Sequence, residues 1–151
     1  MTITITGTRS TGHREVTWYA GLFARYLGPF ADSGASHFYV GGAKGVDSLA
    51  LLWLARNSAS RITVVVPGAV VQQPTEAQRV MYECRERIAE LVELGAAELR
   101  TAAYHARNRW MVDRSDMVIG FPVEGPKGTS GTWQTIDYGA HRGIPRLIVP
   151  V

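Results

Sequence analysis

Hydrophobic and polar positions alternate along the chain with two different periods. Short runs of β-branched or apolar residues predict strands at 2–6, 37–40 and 61–66, which read TITIT, HFYV and RITVVV. Similar runs predict strands at 97–101, 116–121 and 146–150. Runs of this length, bounded by turn residues, are typical of strands in a buried parallel sheet.

Between these runs, apolar positions recur with the spacing of a helix. The first predicted helix extends from about Glu15 to Leu27, where Gly28 and Pro29 should end it. Further helices are predicted at 46–55, 106–113 and 132–141. The longest begins at Thr75 and ends before Gly95.

That longest helix has the clearest pattern in the chain. Thr75 and Gln78 have the spacing of a capping box, in which each side chain bonds the other's backbone. One apolar stripe follows them, made of Met81, Cys84, Ile88 and Leu91. Glu83 and Arg87 lie four residues apart on the outer face, where we expect them to be solvated.

Strand and helix alternate about six times, with no linker or internal repeat. Parallel neighbouring strands need crossover connections, so this order predicts a three-layer α/β, Rossmann-like fold. We expect a mainly parallel sheet of about six strands with helices on both faces, the first strand central, and residues 1–151 in a single domain. The connection 122–131 is long and glycine-rich, and such loops usually carry function.

Composition narrows the class of protein but does not decide its function. Hydrophobic residues make up 46% of the 151 and charged residues 19%, which excludes a disordered chain. The net charge of +3 suits an anionic small molecule as well as a nucleic acid. A single cysteine, Cys84, excludes an internal disulfide, and no apolar run reaches the ~20 residues of a membrane span. We therefore expect a cytoplasmic protein without membrane contact.

Polar, glycine-rich segments follow four of the predicted strands. They are Gly7 to Ser10, Gly41 to Gly45, Tyr104 to Arg109, and Gly128 to Thr132. Ligands of open parallel sheets bind beyond the carboxyl ends of the strands, so we expect these segments to meet along one edge. Glycines there let the backbone approach a ligand, and the starts of helices offer free N–H groups to an anion.

The sequence contains no standard phosphate or metal motif. Lys44 is followed by glycine instead of Ser or Thr, which excludes a Walker A loop, and G-x-G-x-x-G is absent. The four histidines lack metal-ligand spacing, so we expect no metal site. Asp47 either caps its helix or contacts a ligand, and Trp133 either packs in the core or stacks on a base.

Four segments, taken in order, resemble a known superfamily. TGTRS, GGAKGVDSLA, RNRWM followed by SDMVIGFP, and GTSGTWQTIDYGAHRGIP are similar to the SLOG superfamily. This Rossmann-like group includes DNA-processing protein A (Smf) and the Lonely Guy proteins. The spacing is closest to its small, stand-alone bacterial and phage members. The resemblance extends from Thr6 to Pro145 and weakens between Val64 and Leu99.

The resemblance implies a nucleotide or nucleotide-derived phosphorylated ligand, which the protein would sense, sequester or process. It implies no other cofactor, and the frequent dimers of the family suggest a homodimer. Guanidinium groups, hydroxyls and glycine amides are well suited to phosphate. The segments and the resemblance together predict these ligand-binding residues: Gly7, Thr8, Arg9, Gly41, Gly42, Lys44, Gly45, Asp47, Arg107, Asn108, Arg109, Gly128, Thr129, Ser130, Gly131 and Thr132.

Two other functions stay open at this point. One is that of a Lonely Guy-type nucleoside 5′-monophosphate phosphoribohydrolase. The other is single-stranded DNA binding, as in DNA-processing protein A, which would need an extended basic surface with aromatic stacking platforms. The short chain, its small net charge and its dispersed basic residues make nucleic acid the less favoured partner.

The sequence departs from the Lonely Guy pattern PGGxGTxxE at its glutamate. Aligning Gly131-Thr132 with the GT of that pattern places Thr135 at the glutamate, and aligning Gly128-Thr129 places Thr132 there. A hydroxyl cannot replace the carboxylate that stabilises positive charge on the sugar. We therefore expect phosphate binding without phosphoribohydrolase activity, and we assign no catalytic residue.

Overall fold

A computed structural model describes all residues from 1 to 151. Six strands form one sheet in the order β4-β3-β2-β1-β5-β6, and every neighbouring pair is parallel. The strands are β1 (Thr2–Gly7), β2 (His37–Gly41), β3 (Arg61–Val66), β4 (Ile88–Glu93), β5 (Met117–Phe121) and β6 (Arg146–Ile148). The predicted six-stranded parallel sheet is confirmed, and β1 lies inside it between β2 and β5.

Six helices cover the two faces of the sheet. They are α1 (Val16–Tyr26), α2 (Gly28–Ala31), α3 (Val46–Asn57), α4 (Thr75–Glu83), α5 (Thr101–Asp113) and α6 (Gly131–His141). On one face α3 packs against β1, β2 and β3, with α1 and α4 beside it. On the other face α5 and α6 pack together, α5 over β1 to β3 and α6 over β1, β5 and β6. The molecule therefore has the three-layer α/β arrangement of a Rossmann-like fold.

The main core lies between the sheet and the helices α1, α3 and α4. Ile3 and Ile5 of β1 are fully buried there, together with Phe23 of α1 and Leu54 of α3. The Phe23 ring meets the Phe121 ring edge to face, with their centroids 5.4 Å apart. Burial of apolar surface on this scale is what fixes the inner strands in place.

The start of the chain follows the predicted pattern, with one addition. α1 ends at Tyr26 with Leu27 as its C-cap, just before Gly28 and Pro29, as predicted. Those two residues then begin the single-turn helix α2 instead of a loop. Proline has no N–H to lose in the first turn of a helix, so it is well tolerated at that position.

The predicted helix from Thr75 to Gly95 is wrong in its second half. α4 ends at Glu83, and residues 88–93 form β4, which pairs with β3. The side chain of Arg87 donates hydrogen bonds to the carbonyls of Ser58 (2.8 Å) and Ser60 (3.0 Å) and so holds the turn between α4 and β4. Arg87 is thus a structural anchor, whereas the helical pattern had placed it in solvent.

The capping box predicted for Thr75 and Gln78 is also absent. Pro74 occupies the N-cap position, and no side chain caps the helix there. The Gln78 side chain instead donates to the carbonyls of Gln73 (2.7 Å) and Val71 (3.2 Å) in the preceding loop.

The strand predicted at 97–101 is wrong as well. Thr101 is the first residue of α5, which begins five residues before the predicted start at Ala106. The segment from Tyr104 to Arg109 therefore lies on a helix and not on a loop that follows a strand. Across the whole molecule, no helix combines the length and the apolar character that crossing a membrane requires.

Candidate functional site

A cleft of about 920 Å³ opens at the carboxyl ends of β1 and β5. The chain runs outward from β1 through β2 to β4 and then returns to place β5 on the other side of β1. The strand order therefore reverses between β1 and β5, which is where open α/β sheets bind their ligands. The volume falls within the usual range of small-molecule sites.

The loop after β1 is fixed by backbone hydrogen bonds to two other elements. The Thr8 N–H donates to the Phe121 carbonyl (3.0 Å) at the end of β5. The Thr8 carbonyl accepts from the Val46 N–H (3.0 Å) at the start of α3. Arg9, the next residue, extends an exposed guanidinium along the cleft.

The glycines at the end of β2 and just after it bring protein segments together and do not form the wall of the cleft. Gly45 has φ +80°, and a Cβ there would lie 2.5 Å from the Thr8 carbonyl oxygen. A Cβ on Gly41 would lie 2.6 Å from Asp47 Oδ2 and would overlap Arg107 Nη1. These two positions therefore require glycine because other parts of the site occupy the space.

Asp47, on the first turn of α3, has its carboxylate buried in the wall of the cleft. The side chain is 7% exposed, and Oδ2 accepts a hydrogen bond from the Ala43 N–H at 3.3 Å. Burial raises the pKa of Asp47 from 3.8 to about 6, although Arg107, the Ala43 N–H and Arg9 each act to lower it. Desolvation of the carboxylate is the largest of these influences.

Arg107 of α5 faces Asp47 across Gly41. It is 4% exposed, and burial lowers the pKa of its guanidinium while the carboxylate of Asp47 opposes that shift. Arg107 Nη1 donates to the Val65 carbonyl at 3.2 Å, and Nε donates to Asn108 Oδ1 at 2.7 Å. Asp47 and Arg107 do not form a direct ion pair. The four ion pairs of the molecule involve other residues.

Asn108 connects this charged wall to the start of α6. Its side-chain N–H group donates to Gln134 Oε1 at 3.2 Å, and the same group lies close to Gly131. Ser130 caps α6 by accepting a hydrogen bond from the Trp133 N–H at 3.3 Å. The first turn of α6, with Gly131 and Thr132, therefore lies at one end of the cleft.

An aromatic ring joins the two arginines of the cleft. The guanidinium carbon of Arg9 lies 4.7 Å from the centre of the Tyr104 ring, and that of Arg107 lies 5.8 Å from it. Arginine above an aromatic face is a favourable cation–π arrangement. Tyr104 thus contacts both Arg9 and Arg107, which the sequence pattern had assigned to two different segments.

The structure brings most of the predicted ligand-binding residues together at this cleft. Those that line it are Gly7, Thr8, Arg9, Asp47, Arg107, Asn108, Gly128, Thr129, Ser130, Gly131 and Thr132. Those that do not line it are Gly41, Gly42, Lys44, Gly45 and Arg109. Lys44 and Arg109 are exposed outside the cleft, whereas the three glycines are buried behind its wall.

Several residues of the cleft were not in the predicted ligand-binding set, although Ser10, Tyr104 and His105 belong to polar segments that we expected to meet there. They include Ser10, Leu99, Arg100, Tyr104, His105, Glu124 and Trp133. Tyr104 could have been found from helical spacing, because it lies three and four residues before Arg107 and Asn108 on the same face of α5. The strand wrongly predicted at 97–101 concealed that relationship.

Thr135, the residue aligned with the Lonely Guy glutamate, lies outside the cleft. It is fully buried, and its hydroxyl donates to the Gly131 carbonyl at 2.8 Å within α6. The acids that do line the cleft are Asp47 and Glu124. No group of three or more His, Cys, Asp or Glu side chains has the arrangement of a metal site.

Comparison with solved structures identifies the fold. The chain superposes on DNA-processing protein A from Helicobacter pylori, a structure that describes a single-stranded DNA binding mode, with a TM-score of 0.72 and 22% identity. The match covers 100% of this chain and 66% of that protein, so the chain spans just under two thirds of its length. The chain has the fold of DNA-processing protein A.

A second solved structure, that of the structural genomics target TM1055, shares this fold. It superposes with a TM-score of 0.65 and 16% identity over 96% of this chain and 71% of that protein. The two likenesses confirm the Rossmann-like fold that the sequence resemblance implies. No protein-family model matches the sequence, and no curated protein matches it either.

Proposed function

We propose that the cleft binds a nucleotide or a nucleotide-derived phosphorylated ligand. The observation that carries this proposal is that Arg9 and the first turn of α6 line the same cleft, at the point where the strand order reverses. The N–H groups of a first helical turn have no partner within the helix and attract anions. A guanidinium and a hydroxyl, here those of Arg9 and Thr132, add the groups that usually hold phosphate.

Aromatic rings near these groups suit the base of such a ligand. Trp133 and Tyr104 line the same cleft, and Tyr104 already stacks with Arg9. Flat aromatic faces hold nucleobases by stacking, without selecting a particular base. The cleft therefore has groups that suit both the phosphate and the base of a nucleotide. We expect the protein to sense or sequester such a ligand.

A matched pair of arginine variants tests the proposal. Arg9→Ala should weaken the binding of nucleoside 5′-phosphates at least about tenfold, because charge-assisted hydrogen bonds typically contribute ~1.5–3 kcal/mol. Arg109→Ala is the control, since Arg109 is exposed and lies outside the cleft. Isothermal titration calorimetry with AMP, ADP and ATP measures both. Equal affinities for Arg9→Ala and wild type would contradict the proposal.

Single-stranded DNA binding is the second candidate, and the likeness to DNA-processing protein A favours it. The exposed Arg14 and Arg114 stack on the half-buried rings of Trp18 (4.5 Å) and Trp110 (3.7 Å), and so supply basic and aromatic groups outside the cleft. Fluorescence anisotropy with a labelled oligonucleotide at several salt concentrations separates the two candidates. DNA binding would be strongly salt-dependent, and excess nucleotide would not compete with it if the site lies outside the cleft.

Processing of a nucleoside monophosphate is the remaining alternative. The buried hydroxyl of Thr135 cannot act as the carboxylate of the Lonely Guy pattern, so we infer binding without release of the base. Chromatography of nucleoside monophosphates incubated with the protein distinguishes the two, because hydrolysis would produce free base. Base release by wild type that Arg9→Ala abolishes would establish an enzyme.

A further inference from the structure

Two buried charges in the cleft wall keep hydrogen-bonding capacity that the protein does not use. Asp47 accepts one hydrogen bond, from the Ala43 N–H to Oδ2, and its Oδ1 has no protein partner. Arg107 has five N–H donors but donates two hydrogen bonds within the protein, to Val65 and Asn108. Both residues are more than nine-tenths buried and line the cleft, yet neither has a fully buried side-chain atom that lacks a partner. Their free groups therefore keep access to solvent, and their remaining partners must come from the cleft.

The two side chains face one another without pairing. Asp47 Oδ2 and Arg107 Nη1 lie on either side of the space above Gly41, and they form no direct ion pair. Asp47 needs a donor and Arg107 needs an acceptor. A group that satisfies both at once must both donate and accept hydrogen bonds, as a hydroxyl does.

The chemistry of the pair excludes a phosphate at this position. A phosphate would accept from Arg107, but its charge would be repelled by the carboxylate of Asp47 beside it. Two neighbouring hydroxyls on a sugar ring have neither difficulty, because one can donate to the carboxylate while the other accepts from the guanidinium. The pair is therefore complementary to a neutral diol.

The location of the pair relative to α6 points to the same group. Asn108 lies next to Arg107 in the chain and extends to Gly131 at the start of α6, where the proposed phosphate site lies. In a nucleoside 5′-phosphate the ribose is the part adjacent to the phosphate, and the base is further away. The wall formed by Asp47, Arg107 and Asn108 is thus placed to contact the sugar.

We propose that Asp47 and Arg107 bind the 2′- and 3′-hydroxyls of a ribose, so that the cleft selects ribonucleotides over 2′-deoxyribonucleotides. This inference rests on the proposed function, since it concerns the sugar of the same ligand. It also separates the two candidate functions, because DNA has no 2′-hydroxyl.

Pairs of ligands that differ only at the 2′ position test the inference. Calorimetry compares AMP with dAMP, GMP with dGMP and CMP with dCMP, and then ribose 5-phosphate with 2-deoxyribose 5-phosphate, which carry no base. We expect each ribose compound to bind about tenfold or more tightly than its deoxy partner, because the lost hydroxyl leaves a charged group unpaired. The ratio should be similar for all pairs.

Two aspartate variants locate the effect. Asp47→Asn should reduce the ratio of the two affinities to about threefold or less, because its amide no longer presents a carboxylate to the sugar. Asp32→Asn is the control, since Asp32 is exposed at the end of α2 with no side-chain partner, and it should keep the wild-type ratio. If Asp47→Asn does not fold, the wild-type ratios still decide the question.

The outcomes separate failure of this inference from failure of the proposed function. Equal binding of ribose and deoxyribose compounds, with Arg9→Ala still weakening both, would overturn the ribose assignment and leave the nucleotide site standing. If affinity depends on which base the ligand carries and not on its sugar, Asp47 contacts an edge of the base. That result would also overturn the ribose assignment. No measurable binding of any of these compounds would overturn both.

Discussion

Two concave surfaces of the molecule hold charge in opposite ways. In the cleft beyond β1 and β5, Asp47 and Arg107 are buried and do not form an ion pair with each other. The second surface, the β4 groove, has a volume of about 420 Å³ and lies between α4 and the edge strand β4. It is lined by Val70, Gln78, Met81, Tyr82, Arg85, Ile88, Ala89, Glu90 and Leu91.

Charges beside the β4 groove remain in contact with solvent. Glu90 is 52% exposed and lies 3.9 Å from Arg61, and Arg85 folds back onto the Tyr82 carbonyl at 2.9 Å. A solvated ion pair contributes little to stability, whereas a buried charge without a partner is strongly unfavourable. The comparison teaches that concavity alone does not mark a site. A buried carboxylate and a buried guanidinium that do not pair with each other are a stronger indication, because the fold retains both charges at the expense of stability.

The largest expected difference between the two surfaces concerns their arginines. Arg107→Ala should lower the free energy of unfolding by about 3–5 kcal/mol, because it leaves the buried carboxylate of Asp47 without its nearest positive charge. Arg85→Ala in the β4 groove should change it by less than about 0.5 kcal/mol. Urea denaturation of both variants measures the difference. Similar losses in the two would mean that the charges of the cleft are solvated like those of the groove.

The next expected difference concerns pH. Burial raises the pKa of Asp47 to about 6, so between pH 4 and pH 6 the folded protein retains a proton that the unfolded chain has released. As the pH rises from 4 to 6, the free energy of unfolding of wild type should therefore fall relative to that of Asp47→Asn, by about 2–3 kcal/mol in all. Above pH 6 the difference between the two should stay constant.

Glu90→Gln is the matched control for the pH experiment, because Glu90 is an exposed acid of the β4 groove. Its difference from wild type should change little between pH 4 and pH 7. Urea denaturation at half-unit steps of pH measures both variants. A constant difference between wild type and Asp47→Asn would show that Asp47 titrates as it does in the unfolded chain.

The smallest expected difference concerns two tyrosines that each stack with arginine. Tyr104→Ala should lower the free energy of unfolding by about 1–2 kcal/mol, because the ring is partly buried between Arg9 and Arg107. Tyr82→Ala should lower it by less than about 0.5 kcal/mol, since Tyr82 is 67% exposed even though Arg85 lies 4.2 Å from its ring. Thermal unfolding compares the two, and a larger loss for Tyr82→Ala would reverse the comparison.

The sequence pattern predicted the inner strands well because their environment is simple. Residues 62–66 of β3 are buried on both faces, so an unbroken β-branched run has one interpretation. The edge strand β4 did not have this advantage. Its Ile88 and Leu91 continue the spacing of Met81 and Cys84, and no glycine or proline separates them from α4. Pairing with β3, a contact distant in sequence, decides that they form a strand.

The site was predictable in its location but not in its internal contacts. The loops after β1 and β5 follow strands that the pattern identifies, and the resemblance indicated Arg107 and Asn108. Arg109 does not join them, because two residues on a helix correspond to roughly 200° of rotation. Glycine is required at position 41 because the side chains of Asp47 and Arg107 occupy the space where a Cβ would lie. A pattern of hydrophobic positions does not predict such a contact between polar side chains.

The two backbone hydrogen bonds of Thr8 also bear on the order in which the protein folds. They join the first loop to Val46 and to Phe121, so the cleft is assembled from parts of the chain that are far apart in sequence. Closing such long loops is slow compared with forming a helix. The cleft can therefore be complete only when β1, β2 and β5 have all come together. Any molecule that binds there recognises the finished sheet and shifts the equilibrium toward it, as a ligand specific for the native state must.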